Sequence, residues 1–114
     1  MKHYDLAIIG GGISGLSAAL ILSAGIADNS SIKDKKVCVI DAGGSDALKA
    51  KFFNAPGVKQ GTSGKKAIKK LREQVLSYSA TKLIDTRVKS IESTDSKFII
   101  TTKKNKNSVL INCY

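Results

Sequence analysis

The chain has 114 residues, 42% of them hydrophobic and 25% charged, and its formal net charge is +10. That length holds one domain of modest size with a real core, and the composition lies near the average for soluble globular proteins, which argues against a disordered chain. No apolar run approaches the roughly 20 residues needed to span a bilayer and no secretion signal opens the chain, so a cytoplasmic protein with no membrane partner is expected.

The charge is unevenly placed. Residues 1–32 carry only Lys2, Asp5 and Asp28, a net of −1, so the rest carries +11, spread over KDKK, KKAIKK and KKNKNS. Nearly all of it is lysine. Arginine, whose planar fork makes the bidentate contacts to phosphate and guanine, occurs only as Arg72 and Arg87, and few aromatic residues are available for base stacking. This distribution argues against a nucleic-acid partner and for a solvated Lys-rich surface, with attraction for an anionic cofactor or an acidic partner as the other reading. Cys38 lies within an apolar run and Cys113 beside the terminus, so they make no close-spaced metal or redox pair.

In chain order, Tyr4 to Gly10 reads as a buried parallel strand, because Leu6, Ala7, Ile8 and Ile9 are contiguous and apolar and a glycine cluster closes them. From Ile13 to about Ala24, Leu16, Ala19, Leu20 and Ser23 recur three and four apart among small residues, which predicts a helix that packs closely on a sheet, with Gly25 as its stop. A polar connector leads to a second buried strand, Val37 to Asp41. Residues 42–63 have no sustained period and contain the only proline, Pro56; an irregular segment of that length is often functional. Thr62 or Ser63 is placed to cap a helix whose apolar stripe is Ala67, Ile68, Leu71, Val75 and Tyr78. Three β-like runs follow, Lys82 to Glu92, Phe98 to Thr102 and Val109 to Cys113, separated by polar turns at hairpin-like spacing, which predicts a small antiparallel meander.

Gly10-x-Gly12-x-x-Gly15 is a weak pattern on its own. Here it follows a buried strand, opens an amphipathic helix, and is followed by a second buried strand ending in an acid, the context of a dinucleotide fingerprint. Gly10 permits the tight turn, Gly12 lets the backbone approach a pyrophosphate, and Gly15 lets helix and strand pack closely. The first-turn amides near Ile13 and Ser14 lack intrahelical partners and can donate to phosphate oxygens at the positive end of the helix dipole. Asp41 would accept from the adenosine ribose hydroxyls and repel a 2'-phosphate, which argues against NADP at this site. It lies 26 residues beyond Gly15, farther than the usual spacing of about 20, and the polar insertion ADNSSIKDKK accounts for the excess.

After the fingerprint, a nicotinamide-binding fold normally continues with alternating strands and helices, whereas this chain gives an irregular segment, one helix and a meander. That order resembles the FAD-binding domain of flavoproteins with two dinucleotide-binding domains. The stretch from Asp41 to Ser93 is similar to the thioredoxin reductase-like family, within the pyridine nucleotide-disulfide oxidoreductases. It carries an N-x-P-G turn (Asn54 to Gly57), a helix with an L-x-x-Q-like pattern (Leu71 to Gln74) and a strand with a T-x-V-x-x-I-like pattern (Thr86 to Ile91). The resemblance implies an α/β, Rossmann-like FAD/NAD(P)-binding domain with a parallel sheet, helices and a small antiparallel β-meander. It also implies that Asn54 lies by the flavin and ribityl chain, that the Val88 backbone meets adenine, and that Ala42, Gly43 and Gly44 lie along the adenosine and pyrophosphate. The residues themselves leave Asn54 open as a plain turn former and Val88 as a sheet-core residue.

The family's Cys-x-x-Cys, its second glycine-rich motif for NADPH, its A-T-G-like turn and its late G-D motif do not occur in these 114 residues. By the resemblance, residues 1–114 are expected to be the N-terminal part of a single FAD-binding domain, truncated at its C-terminus, with no NADPH domain and with no catalytic or metal-binding residue. The expected function is the FAD-binding portion of a flavoprotein oxidoreductase that in intact form passes electrons from NADPH or NADH through flavin to a disulfide or other acceptor. By itself the chain is expected to be inactive. The alternative is a non-catalytic module that binds FAD, NAD or an ADP-containing ligand. An incomplete parallel sheet would expose an edge, so a homo-oligomer is a further expectation.

Overall fold

The computed structural model describes residues 2–103 and 108–112. Along the chain come β1 (Lys2–Tyr4), β2 (Leu6–Ile9), α1 (Ile13–Asp28), β3 (Val37–Asp41), a 3-10 turn (Asp46–Lys49), β4 (Lys51–Phe52), β5 (Thr62–Ser63) and α2 (Gly64–Leu76). Then follow β6 (Thr81–Asp85), β7 (Val88–Ser93), β8 (Lys97–Thr102) and β9 (Ser108–Asn112).

Three layers result. The middle layer is a parallel sheet in the order β2-β3-β6, in register from Leu6 opposite Val37 and Val37 opposite Thr81. Side chains alternate across it, as the two-residue period of a strand requires. Ile8, Val39 and Leu83 point to one side, where Leu16 and Ala19 of α1 and Ile68 and Val75 of α2 close over them. Ala7, Cys38, Ile40 and Ile84 point to the other, against Tyr4, Val88, Phe98 and Ile100 of the meander. Strand β3 is central, so Val37 to Ile40 are buried on both faces and the run VCVI is apolar throughout.

The expected meander is present as β7-β8-β9, antiparallel throughout, with β1 added in parallel beside β9. The 103–107 turn expected from KKNKN falls largely outside the described residues, as does Cys113.

Several expectations are corrected. The apolar run from Tyr4 is two strands in two sheets. Asp5 separates them, because its carboxylate accepts the Lys36 amide at 2.8 Å and its own amide bonds the Lys36 carbonyl at 2.9 Å, turning the chain at the start of β3. Strand β2 is also an edge strand, with Leu6 40% and Ile9 50% exposed. Helix α1 does not stop at Gly25 but runs to Asp28. Gly25 has no positive φ and open space around its α-carbon, and Ile26 beyond it is buried, extending the packed stripe by one turn. The run Lys82 to Glu92 divides at Thr86 and Arg87, its first half completing the parallel sheet and its second half opening the meander.

The segment 42–63 is less irregular than its sequence. It holds the 3-10 turn and the small β4-β5 ladder, which brings Gly64 against the turn. Gly64 donates to the Ala50 carbonyl at 2.7 Å, and a β-carbon there would stand 1.5 Å from the Ala47 carbonyl oxygen. Ser63 is the cap of α2, its hydroxyl accepting the Lys66 amide at 3.2 Å. Tyr78, read as the last member of the α2 stripe, lies beyond the helix end at Leu76.

Candidate functional site

The carboxyl ends of β2 and β3 and the turn into β7 enclose a cleft of about 450 Å³ lined by Ile9, Gly10, Gly11, Gly12, Ile40, Asp41, Ala42, Gly44, Ser45, Thr86, Arg87 and Val88. In open α/β sheets, ligands bind at this end of the strands. A smaller hollow of about 260 Å³ lies at the opposite end of the sheet, among Lys2, His3, Lys36 and Lys82, where no glycine turn or helix N-terminus faces it.

The glycine turn is built from close approaches. Gly10 adopts φ +110°, open to glycine and strained for other residues, and its amide donates to the Ile40 carbonyl at 2.8 Å, locking the turn to β3. A β-carbon on Gly15 would fall 1.9 Å from the Gly10 carbonyl oxygen, so only glycine lets α1 start this close to the strand. Gly12 is the N-cap of α1 and provides no side-chain cap, leaving the first-turn amides, Ile13 and Ser14 among them, without a side-chain partner from the cap position. The first turn also carries no acidic side chain, so the positive end of the helix is not neutralised from within. A β-carbon on Gly12 would point toward Ser45 Oγ, at 3.1 Å, narrowing the cleft between the turn and the 3-10 segment.

Asp41 closes the β3 end of the cleft. One oxygen, Oδ1, accepts the amides of Gly11 at 3.3 Å and Gly43 at 3.1 Å; the other, Oδ2, faces Arg72 Nη1 at 3.4 Å. Gly43 does not line the cleft but supplies that amide from a φ of +80°. Arg72 comes from α2 and also holds Asp85 at the end of β6, with Nη2 at 3.1 and 3.3 Å from its two oxygens. Val88 lines the cleft as the first residue of β7, which among the described residues is an edge strand with no sheet partner on its outer side, and it also packs on the core.

Gly10, Gly12, Asp41, Ala42 and Val88 are thus brought together at one cleft, with Ile13, Ser14 and Gly15 in the helix turn beside it. Asn54 is not among them. It is exposed in the loop between β4 and β5 and does not line the cleft. The sequence reading missed Gly11, Ser45, Arg72 and Arg87. For Gly11 a signal existed in the sequence, the middle glycine of a run of three; a β-carbon there would lie 2.6 Å from the Asp41 carboxyl carbon. Arg72 and Ser45 reach the site only through tertiary packing.

Among the described residues no group of three His, Cys, Asp or Glu side chains could hold a metal ion, and no helix is long and apolar enough to cross a membrane. Cys38 is fully buried in β3, and burial pushes its thiol up to about 12, as expected of a core residue rather than a reactive one.

Sheet, helices, meander and glycine turn together define a Rossmann-like α/β fold. Solved structures that share it include thioredoxin reductases and an oxidoreductase, in line with the resemblance seen in the sequence. An oxidoreductase from Agrobacterium tumefaciens matches at 25% identity with a TM-score of 0.77, over 97% of this chain and 34% of that one. The thioredoxin reductase from Giardia duodenalis matches at 22% identity with a TM-score of 0.80, over 98% of this chain and 34% of that one. That from Streptococcus pyogenes matches at 24% identity with a TM-score of 0.79, over 97% and 33%. The chain therefore spans about a third of the length of these proteins. No protein-family model matches the sequence, and no curated protein sequence matches it.

Proposed function

We propose that residues 1–114 form the N-terminal, FAD-binding portion of a thioredoxin reductase-like flavoprotein oxidoreductase, and that the cleft takes the ADP half of FAD. The observation that carries this reading is the pairing, in one cleft, of a helix N-terminus with no side-chain cap behind Gly12 and a carboxylate, Asp41, at the end of β3. Pyrophosphate is anionic and suits the free amides; an adenosine ribose offers hydroxyls and suits the carboxylate. Fit is supported by the bare glycines, since β-carbons on Gly11 or Gly12 would crowd the Asp41 and Ser45 side chains that border the ligand space. The outer edge of β7 at Val88, without a sheet partner among the described residues, suits the edge of adenine.

In an intact enzyme the bound flavin would accept hydride from NADPH or NADH and pass electrons to a disulfide or other acceptor. The residues of this chain bind and orient. Gly10 and Gly15 set the turn, the Ile13 and Ser14 amides hold the pyrophosphate, and Asp41 holds the ribose. No described side chain is offered as an acid, base or nucleophile, so the chain by itself is inactive in this reading.

The test is direct. The purified chain, mixed with FAD and separated from excess, should carry flavin absorbance, and Gly12→Val should lose it while keeping its circular dichroism spectrum. A parent chain that binds neither FAD nor ADP, or a folded Gly12→Val variant that binds as the parent does, contradicts the assignment.

A further inference from the structure

Asp41 is gripped unequally. Both backbone amides that reach it, from Gly11 and Gly43, donate to the same oxygen, Oδ1, at 3.3 and 3.1 Å. Two donors on one oxygen hold its position but leave the plane of the carboxylate free to turn about it. The second oxygen, Oδ2, has one contact among the described residues, Arg72 Nη1 at 3.4 Å. Arg72 is fixed from behind by Asp85, whose two oxygens share Nη2 at 3.1 and 3.3 Å. The Asp41 side chain is 15% exposed and that of Arg72 29%, so the contact is partly shielded from water, whereas Asp85 is 67% exposed.

A carboxylate presents about four lone-pair sites. Three are taken here, and the one remaining lies on the oxygen that Arg72 orients. We infer that Arg72 is a positioning and specificity residue, holding Asp41 so that Oδ2 accepts one hydroxyl of an adenosine ribose that carries no 2'-phosphate. The inference rests on the reading of the cleft as an adenine nucleotide site.

Arginine near this strand end is also the group that accommodates a 2'-phosphate in NADP sites. In this chain its guanidinium is already shared between two carboxylates, and the three side chains sum to one negative charge. Beside Asp41 a 2'-phosphate meets net repulsion from these three side chains and an Arg72 fork that is already committed. Lysine would not substitute fully, since an ammonium is a point donor and cannot span both carboxylates as the planar fork does.

The experiment measures the affinities of the full chain for ADP, 2'-deoxy-ADP and adenosine 2',5'-bisphosphate by calorimetry, for the parent and for Arg72→Met, Arg72→Lys and Asp85→Asn. A hydrogen bond to a charged group predicts that the parent prefers ADP over its 2'-deoxy form by about tenfold or more. In Arg72→Met that ratio should fall to about threefold or less, with the 2'-deoxy-ADP affinity itself unchanged, a split that general damage to the fold would not produce. Arg72→Lys should give an intermediate ratio, and it supplies the reading if the Met variant does not fold. Asp85→Asn, which leaves the Asp41 contact in place and removes one negative charge, should keep the ratio and raise the affinity for adenosine 2',5'-bisphosphate several-fold. A parent-like ratio in folded Arg72→Met or Arg72→Lys overturns the inference alone. No binding of ADP by the parent overturns the site reading with it.

Discussion

The carbonyl oxygen of Gly10 lies 1.9 Å from the point where a β-carbon on Gly15 would stand, with Ile8 Cγ2 at 3.3 Å from the same point. The obstacle is backbone, which cannot rotate away as a side chain can, and Gly10 is itself tied to Ile40. Gly15→Ala must therefore push α1 off the sheet. Overpacking of this kind costs typically about 1–3 kcal/mol, and the present contact belongs at or above the upper end. Gly12→Ala meets the Ser45 side chain, Oγ at 3.1 Å, which can yield by a small shift that lengthens its 3.3 Å bond from the Ala47 amide, and should cost about 1 kcal/mol, the lower end of the same range. Urea unfolding of the two variants should separate them clearly; equal midpoints would show that the helix is not seated as described.

Behind the glycine turn, the Ser23 and Thr81 hydroxyls are hydrogen-bonded to each other, both fully or nearly buried, and link α1 to the start of β6. Ser23→Ala leaves the Thr81 hydroxyl buried without that partner, an expected loss of about 1–3 kcal/mol. Replacing both, Ser23→Ala with Thr81→Val, removes donor and acceptor together and should recover much of that loss, because no polar group is then stranded. A double-mutant cycle on unfolding free energy measures the coupling, and additive single effects would contradict the bond.

The parts of the fold that the sequence made legible are those set within a few residues. VCVI is apolar throughout because β3 is central, and the glycine spacing carries its own geometry through the positive φ of Gly10 and the close approach at Gly15. What escaped was decided by distant partners. Nothing local says that Lys2 to Tyr4 pairs with Val109 to Ile111 while Leu6, two residues on, pairs with Val37. The break at Thr86 and Arg87 is likewise a change of sheet, invisible in an unbroken β-like run. Within the site, Asp41 was legible as the acid ending a strand, but Arg72 was read only as a scarce cation on α2. Its role depends on α2 crossing over the ends of β3 and β6, which brings Asp41 and Asp85 to either side of one guanidinium. Asn54, transferred by resemblance to the flavin and ribityl chain, is not among the residues that line the described cleft.

Acid should weaken the junction between the two sheets. The Asp5 carboxyl lies below its ordinary value of 3.8, chiefly because it accepts the Lys36 amide; partial burial opposes this, and the Lys35 ammonium at 3.2 Å adds to the lowering. A folded pKa below the unfolded one means that the carboxylate's contribution to stability is fully present above the unfolded value, about 3.9, and is lost as pH falls through the folded value. Asp5→Asn should therefore be less stable than the parent at pH 7, with the gap closing below about pH 4. Chemical denaturation at the two pH values checks this, and a gap independent of pH would mean that the charge on Asp5 contributes nothing.

Cys38 offers a probe of opening at the centre of the sheet. Its side chain is fully buried between Ile40, Tyr4 and Ile100, and burial pushes the thiol up to about 12. Only the thiolate is nucleophilic, and at pH 8 a group with that value is ionised to about one part in ten thousand, besides being out of reach of solvent. With Cys113 replaced by serine, alkylation by iodoacetamide should report on Cys38 alone. The native chain should label slowly, and the rate should rise with urea in parallel with global unfolding, since Tyr4 and Ile100 of the facing sheet cover the Cys38 side chain and must move off it before the thiol is reached. Labelling at the rate of a free thiol in the absence of denaturant would show that the meander sheet lifts off β3 without global unfolding, and would place the weakest point at the packing between the two sheets.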